Sequence, residues 1–122
     1  MKKQESFKEK LKRKMDEYVQ FIYVITRKFP KDELFGATSQ IRRSSLSIIL
    51  NYIEGFARRK PRAQLNFLEI SYGSLKESCY LLYFSQTQHW ISEHEYNDGL
   101  SKIEEIGAML WTEIHNLDKH LD

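Results

Sequence analysis

QIRRSSLSIILNYIEGFARRKPR, residues Gln40 to Arg62, is the stretch from which the fold of this chain can be predicted. Wound as an α-helix with about 3.6 residues per turn, it places its polar side chains on one narrow stripe and leaves most of the remaining surface apolar. A helix on the surface of a soluble domain usually has the reverse pattern, an apolar stripe on a polar cylinder. We therefore predict that this helix is covered on two sides, by its own core and by a further helix or a second copy of the chain.

The polar stripe of this helix has two interpretations, which can coexist. In the structural one, its side chains bond to one another and to Glu77 across the core, which satisfies their charges internally. This predicts a buried polar network of Gln40, Arg43, Ser47, Asn51, Glu54 and Glu77. In the functional one, the stripe lines a groove or pore. Arginines then contact phosphates through their bidentate guanidinium groups, and the candidates are Arg42, Arg43, Arg58 and Arg59.

The second apolar face of the same helix predicts where copies of the chain meet. Arg42 points away from the polar stripe and lies among apolar side chains of this face. The predicted oligomer interface therefore consists of Arg42, Leu46, Ile49 and Ile53.

Apolar residues recur every three or four positions over most of the remaining chain, which is typical of helices. We predict four of them, at about residues 6–29, 33–59, 61–88 and 93–121. Only two prolines and five glycines interrupt the chain, which favours long helices over many short strands.

Signals for helix ends lie between these segments. Phe29-Pro30 ends the first helix, because a residue before proline avoids the α region, and Asp32 is a candidate N-cap for the second. Pro61 suits the first turn of the third helix. Ser92 with Glu95 forms a capping-box pattern before the fourth.

Four helices of similar length joined by short loops predict an all-α, antiparallel up-down-up-down four-helix bundle. At 122 residues, the chain has the length of one domain. We predict a single four-helix-bundle domain over residues 1–122, with residues 1–5 frayed.

Charge is unevenly distributed along the chain, although its net value is only +2. Basic residues concentrate near the amino terminus and after the second helix, whereas the last quarter is acidic. This asymmetry suits a nucleic-acid face or head-to-tail self-association; the alternative is a solvated surface of mixed charge. The residues predicted to bind nucleic acid are Lys10, Lys12, Arg13, Arg58, Arg59, Lys60 and Arg62.

The chain has one cysteine, Cys79, so neither a disulfide framework nor a paired-cysteine metal site is expected. A reducing cytoplasm fits this composition. Apolar runs are too short and too interrupted by polar residues to span a bilayer, and no signal peptide is visible. We expect a cytoplasmic protein without a membrane partner.

Catalytic and cofactor motifs are absent from the sequence. There is no phosphate-binding loop, dinucleotide fingerprint or nucleophile elbow. The four histidines lack the spacing of a metalloprotease or di-iron site. We therefore expect no metal, no cofactor and no catalytic residue. An enzyme would need a cleft with perturbed carboxylates, for which Glu54 and Glu77 are the candidates.

Aromatic side chains follow one another down the third helix, from Tyr72 to Tyr80, Tyr83 and Phe84. Such rings can stack on nucleobases. A helical aromatic stripe more often belongs to a core or an interface, and we favour that interpretation.

The ordered combination of several short motifs resembles a known family, the bacterial four-helix-bundle proteins encoded in intervening sequences of 23S ribosomal RNA genes. The resemblance covers Phe7 to the final helix. It departs at two places: Tyr52-Ile53, where the family tends towards a smaller apolar pair, and Ser71-Tyr72, where a small residue followed by a basic one is common. The motifs that carry it are Phe29-Pro30 with Glu33, Gln40-Ile41-Arg42-Arg43, Ser47-Ile48, Asn51, Glu54-Gly55-Phe56 with Arg58, Phe67-Leu68, and Gly73-Ser74-Leu75 with Glu77.

The resemblance implies a four-helix bundle that assembles into a ring, typically a homopentamer. The family is also similar in fold to the accessory protein of diversity-generating retroelements, a basic pentameric barrel that works with a reverse transcriptase and nucleic acid. A ring agrees with the doubly apolar second helix.

Two non-enzymatic functions follow as hypotheses. The first is an oligomeric module that binds RNA or other nucleic acid electrostatically, which predicts an affinity that falls with salt. The second is a protein-interaction scaffold, or an accessory partner of a nucleic-acid enzyme. This hypothesis predicts tight oligomers without affinity for RNA or DNA.

Overall fold

Four long helices make up most of the molecule. The computed structural model describes residues 4–121, and α-helices and short 3-10 turns are the regular elements found there. The helices are α1 (Phe7–Ile25), α2 (Ala37–Phe56), α3 (Pro61–Thr87) and α4 (Glu93–Asp118). The prediction of an all-α fold with four helices is confirmed. Of residues 1–5, which we expected to be frayed, residues 1–3 lie outside the described part.

Two predicted helix boundaries are wrong by four residues. The first helix ends at Ile25 instead of Phe29, and a 3-10 turn, Thr26–Lys28, follows it. The second begins at Ala37 and not at Glu33, because Lys31–Glu33 forms a separate 3-10 turn after Pro30. Asp32 is therefore not the N-cap. Instead, Glu33 Oε1 accepts a hydrogen bond from the backbone N–H of Ala37 at 3.2 Å.

The capping box before α4 is confirmed. The Ser92 Oγ accepts from the Glu95 N–H at 3.0 Å, and Glu95 Oε1 accepts from the Ser92 N–H at 2.9 Å. Two orphan donors at the start of the helix are thereby satisfied by two side chains three residues apart.

Contacts between helices join the start of one helix to the end of its neighbour. Lys8 at the start of α1 pairs with Glu113 near the end of α4, and Lys28 after α1 pairs with Glu95 at the start of α4. Between α2 and α3, the Ser71 hydroxyl donates to the Ile48 carbonyl at 2.6 Å, and Gly55 lies against Phe67. The start of α1, the end of α2, the start of α3 and the end of α4 therefore lie at one end of the molecule.

The buried stripe of α3 alternates leucine and serine: Leu68, Ser71, Leu75, Ser78, Leu82 and Ser85. Hydrophobic periodicity alone would favour Tyr72 and Cys79 in this seam, and both are only half-buried. The helix is rotated toward its serines because small side chains let neighbouring helices approach, and each hydroxyl finds a partner. Ser78 Oγ, for example, is 2.6 Å from the Tyr18 hydroxyl.

Gly55 and Gly73 have opposite surroundings although both lie within helices. A Cβ at Gly55 would lie 3.3 Å from the Gln64 carbonyl oxygen of α3, whereas a Cβ at Gly73 would have no neighbour within 4 Å. A glycine inside a helix is usually justified by the close approach of another helix. Within one chain, only Gly55 provides it.

This difference predicts stability changes of opposite sign. Gly73→Ala should raise the free energy of unfolding by about 0.5–1 kcal/mol, the usual helix preference for alanine over glycine. Gly55→Val should lower it by about 1–3 kcal/mol, because the added methyls meet the α3 backbone. Urea titrations followed by circular dichroism measure both. Equal effects of the two substitutions would contradict this account of the α2–α3 contact.

None of the four helices within residues 4–121 has a segment long and apolar enough to cross a membrane.

Candidate nucleic-acid interface

The two basic clusters of the sequence meet at one end of the bundle. Lys8, in the first turn of α1, donates a hydrogen bond to Glu113 of α4 at 2.9 Å, and its ammonium lies 4.3 Å from the centre of the Phe56 ring of α2. The α2–α3 turn, which carries the second cluster, follows Phe56 directly. Residues about 50 positions apart in the sequence are thus brought to the same end.

Several basic residues of α1 are neutralised by carboxylates of their own chain. Arg13 donates to both oxygens of Glu5, at 2.9 and 3.1 Å, and also pairs with Glu17. The hydrogen bond from Arg13 holds the pKa of Glu5 below its usual value. The ion pair with Lys14, together with the charges of Lys10 and Arg13, lowers the pKa of Glu105. Of the predicted binding residues, Lys10 and Arg13 therefore face acidic neighbours.

Arg58 is also engaged within the chain. Its guanidinium pairs with Glu54 one helical turn earlier and lies 5.0 Å from the centre of the Phe67 ring. Both side chains are about half exposed, so the pair stabilises the fold by less than about 1 kcal/mol, and a phosphate could displace Glu54.

The remaining predicted residues are free of such pairing. Within residues 4–121, no carboxylate lies within 4 Å of the basic groups of Lys12, Arg59, Lys60 or Arg62, and all four residues are exposed. We refer to Arg59, Lys60 and Arg62 as the basic turn, since they lie in and directly after the α2–α3 connection. These three charges are available for an anionic partner.

Gln64 fixes the backbone of the basic turn. Its side-chain Nε2 donates to the Arg58 carbonyl at 2.7 Å, and its backbone N–H donates to the Lys60 carbonyl at 3.0 Å. Pro61 restricts the same connection and begins α3, whose N-terminal end adds a partial positive charge. The turn therefore presents its cations on a backbone that is already ordered.

The polar stripe of α2 is not buried within the single chain, so this part of the prediction is wrong for the isolated subunit. Gln40, Arg43 and Glu77 are exposed, and Glu54 is half-buried and paired with Arg58. The stripe lies along the outer edge of the α2–α3 contact because the buried face of α2 uses Ile41, Ser45, Ile48 and Tyr52 instead.

A short hydrogen-bonded group does form within the stripe. Ser47 Oγ lies 2.7 Å from Ser74 Oγ, and the Asn51 side chain donates to the Ser47 hydroxyl and carbonyl at 2.9 Å. Above it is an open groove of about 300 Å³, lined by Gln40, Arg43, Ser44, Ser47, Ser74 and Glu77. The groove therefore brings together four of the six predicted residues, Gln40, Arg43, Ser47 and Glu77, whereas Asn51 and Glu54 do not line it.

The predicted oligomer interface lies on the outer side of α1 and α2. Arg42 is held within the chain, since its Nε donates to Thr26 Oγ1 at 2.8 Å and its guanidinium lies over the Tyr23 ring. Leu46 and Ile49 are half-buried, and Ile53 is 47% exposed. The neighbouring Leu50 is 57% exposed. An apolar surface is present at the predicted place, and its use as an interface stays a prediction.

The aromatic residues of α3 divide between packing and exposure. Tyr72 packs against Trp111 of α4, with ring centres 5.5 Å apart, and Phe84 packs against Trp90. Tyr80 and Tyr83 are exposed and contact each other. Tyr72 and Phe84 therefore contribute to the fold, whereas Tyr80 and Tyr83 are open to solvent.

One buried carboxylate, Glu113, was not among the residues predicted from the sequence. Glu113 is only 9% exposed, accepts hydrogen bonds from Lys8 and from the Tyr52 hydroxyl, and thereby connects α4 to α1 and α2. Burial and the adjacent carboxylate raise the pKa of Tyr52. The sequence feature that could have revealed Glu113 is its position as a charged residue on the apolar seam of α4, between Leu110 and Leu117. The carboxylates singled out from the sequence, Glu54 and Glu77, are not buried.

Metal-ligating residues do not gather in the described part of the chain. Among residues 4–121, no group of three or more His, Cys, Asp or Glu side chains is arranged to hold a metal ion.

The sequence model of the 23S rRNA-intervening sequence protein family matches residues 8–112. The chain belongs to this family. The resemblance inferred from the sequence motifs is therefore confirmed. The matched region includes the basic turn and ends one residue before Glu113. No curated protein matches the chain.

A solved structure supports the fold of this intervening-sequence family protein. It is the 1.70 Å crystal structure of a protein with unknown function from the S23 ribosomal protein family of Bacteroides thetaiotaomicron VPI-5482. The two are similar with a TM-score of 0.82 and 22% sequence identity, over 90% of this chain and 99% of the other. At this identity the likeness establishes the fold alone.

Proposed function

We propose that this 23S rRNA-intervening sequence family protein is a non-enzymatic, cytoplasmic, homo-oligomeric up-down-up-down bundle that binds RNA or other nucleic acid through its basic turn. The observation that carries the proposal is the set of three exposed cations, Arg59, Lys60 and Arg62, which have no carboxylate partner within residues 4–121. Lys12 adds a fourth unpaired charge at the same end of the bundle.

The chemistry of the basic turn suits a phosphate backbone. Its two arginines can each donate two parallel hydrogen bonds to a phosphate, and Gln64 holds the backbone that carries them. Binding of this kind releases counterions from the nucleic acid, so the affinity falls as the salt concentration rises. It requires no base-specific contact at the turn.

Self-association is supported by apolar side chains that the single chain leaves uncovered on α2. Leu50 and Ile53 lie near each other on the outer face of this helix and are both about half exposed. Large exposed apolar patches on soluble proteins mark interaction surfaces. A ring of copies, homopentameric as in the related bundles that this family resembles, would cover this face and place several basic turns side by side.

Equilibrium binding at low salt tests the RNA-binding proposal directly. A fluorescein-labelled single-stranded RNA of about 12 nucleotides is titrated with the full chain in about 50 mM KCl and followed by fluorescence polarisation. We expect saturable binding, with duplex RNA and DNA of the same length as comparators. The absence of binding to every nucleic acid at this salt concentration would refute the proposal.

A protein-interaction scaffold is the second candidate. The observation that favours it is Phe35, which is 93% exposed and follows the exposed Leu34 at the end of the bundle opposite the basic turn. Two adjacent exposed apolar side chains on a short connection suit a protein partner. In this case the chain would form stable oligomers by light scattering and show no affinity in the RNA titration.

A further inference from the structure

A cleft of about 600 Å³ opens at the same end of the molecule as the basic turn. All four helices contribute to it. We refer to it as the terminal cleft, and the residues that matter for its chemistry are Phe7, Phe56, Gln64, Leu68, Glu113 and Asn116. Its volume falls in the range of about 300–1,000 Å³ that is typical of small-ligand pockets.

The lining of the terminal cleft combines apolar walls with a few polar groups. Phe7, Phe56 and Leu68 supply the walls, and the Phe7 ring is about half exposed, so one of its surfaces is open to a ligand. Gln64 and Asn116 supply amide groups that can donate and accept hydrogen bonds. Such a lining suits a flat aromatic ligand with polar edges.

The charge in the terminal cleft is already balanced. Glu113 is nine-tenths buried, and the Lys8 ammonium donates to one of its oxygens while the Tyr52 hydroxyl donates to the other. A carboxylate has about four acceptor positions, so two remain for a ligand. A neutral group with N–H donors fits this site better than a phosphate, because the open acceptor positions of Glu113 need donors, which an ionised phosphate lacks.

The terminal cleft is joined to the basic turn through Gln64. This residue lines the cleft and also donates to the carbonyls of Arg58 and Lys60. A strand whose phosphates contact the basic turn would therefore bring its bases near the opening of the cleft.

We propose that the terminal cleft binds one unpaired guanine base of an RNA strand held by the basic turn. The inference rests on the proposed RNA-binding function. Guanine presents two adjacent N–H donors on its Watson–Crick edge, which match the two oxygens of Glu113, while its ring stacks on Phe7. Uracil presents only one N–H donor on that edge and has a smaller ring.

A comparison of two RNA oligomers tests the inference. One is oligouridine of about 12 nucleotides, and the other has a single central guanine, which avoids guanine-run structures. We expect the wild-type chain to bind the guanine-containing oligomer about tenfold more tightly. Phe7→Ala and Glu113→Gln should each bring the ratio of the two affinities to about one, with oligouridine affinity unchanged within about twofold.

Two matched variants separate the cleft from the basic turn. Phe35→Ala removes an exposed phenyl ring at the opposite end of the bundle and should keep the tenfold ratio. Arg59→Gln/Arg62→Gln should weaken both oligomers equally and also keep the ratio. Equal binding of the two oligomers by the wild-type chain would overturn the inference and leave the proposed function standing. A tenfold ratio that persists in both Phe7→Ala and Glu113→Gln would likewise overturn the inference and leave the proposed function standing.

A second measurement decides the inference if neither oligomer binds, an outcome that refutes the proposed function. Guanosine 5′-monophosphate, and uridine 5′-monophosphate as its control, are added to the ¹⁵N-labelled chain. The cleft is supported as a base site if the Gln64 and Asn116 side-chain amide signals shift with guanosine 5′-monophosphate and do not shift with uridine 5′-monophosphate. Unchanged signals would overturn it.

Discussion

Replacing Arg59, Lys60 and Arg62 together by glutamine is expected to weaken binding to single-stranded RNA by about 10- to 100-fold at about 0.1 M salt. Each exposed cation contributes on the order of 0.5–1 kcal/mol to phosphate binding, and about 1.4 kcal/mol corresponds to a tenfold change in affinity. The free energy of unfolding should change by less than about 0.5 kcal/mol, because these side chains are exposed and have no carboxylate partner within residues 4–121.

A charge-matched variant provides the control for this prediction. Arg27, Lys31 and Lys76 are also exposed, and the first two lie at the opposite end of the bundle. Their replacement by glutamine removes the same net charge and should weaken RNA binding by less than about threefold. An equal loss in both triple variants, measured by fluorescence polarisation, would show that net charge and not the basic turn determines the affinity.

Leu50→Glu/Ile53→Glu is expected to dissociate the oligomer into single chains. If these apolar side chains lie in an interface between copies, the variant buries two carboxylates in each interface without partners. Each buried, unpaired charge costs several kcal/mol, so the dissociation constant should rise by more than about 1,000-fold. The fold of the subunit should persist, because both residues are about half exposed in the single chain.

Light scattering coupled to size-exclusion chromatography measures this change as a fall in mass to that of one 14.6 kDa chain. Val24→Glu/Tyr83→Glu serves as the control, since these residues are similarly exposed on α1 and α3. The control should keep the oligomeric mass. A wild-type chain of single-subunit mass, or an α2 variant that keeps the oligomeric mass, would contradict the proposed assembly.

The helices could be predicted from local sequence, whereas some of their ends could not. The spacing of apolar residues and the Ser92–Glu95 pair are short-range signals, and both are reflected in the structure. The start of α2 depends on Pro30 and on the Glu33 side chain, which bonds the Ala37 N–H only after the chain has turned. The residue type alone did not distinguish Glu33 from Asp32 as the group that caps the helix.

The rotation of α3 required knowledge of its partners. A hydrophobicity pattern favours Tyr72 and Cys79 as seam residues over the neighbouring Ser71 and Ser78. The serines are buried instead, because their hydroxyls bond to Ile48 and Tyr18 and their small size allows close packing. The spacing of hydrophobic residues does not predict the burial of polar side chains that gain hydrogen-bond partners in the interior.

The candidate site was predictable in part. The exposed cations of the basic turn followed from composition, but which cations are neutralised did not: Arg13 pairs with Glu5, which precedes α1, and Lys14 pairs with Glu105 of α4. Glu113 could have been recognised as a charge on an apolar seam. Its partners Lys8 and Tyr52 lie 105 and 61 positions away, so no local pattern links them.

The slope of log affinity against log salt concentration tests the central claim most directly. For single-stranded RNA, each neutralised phosphate contributes about 0.7 to this slope. We predict a steep negative slope for the wild-type chain. For the variant in which Arg59, Lys60 and Arg62 are replaced by glutamine, we predict a slope whose magnitude is smaller by about 2, because three contacts are lost. A wild-type affinity that does not change with salt, or an identical slope in the variant, would contradict electrostatic RNA binding at this turn.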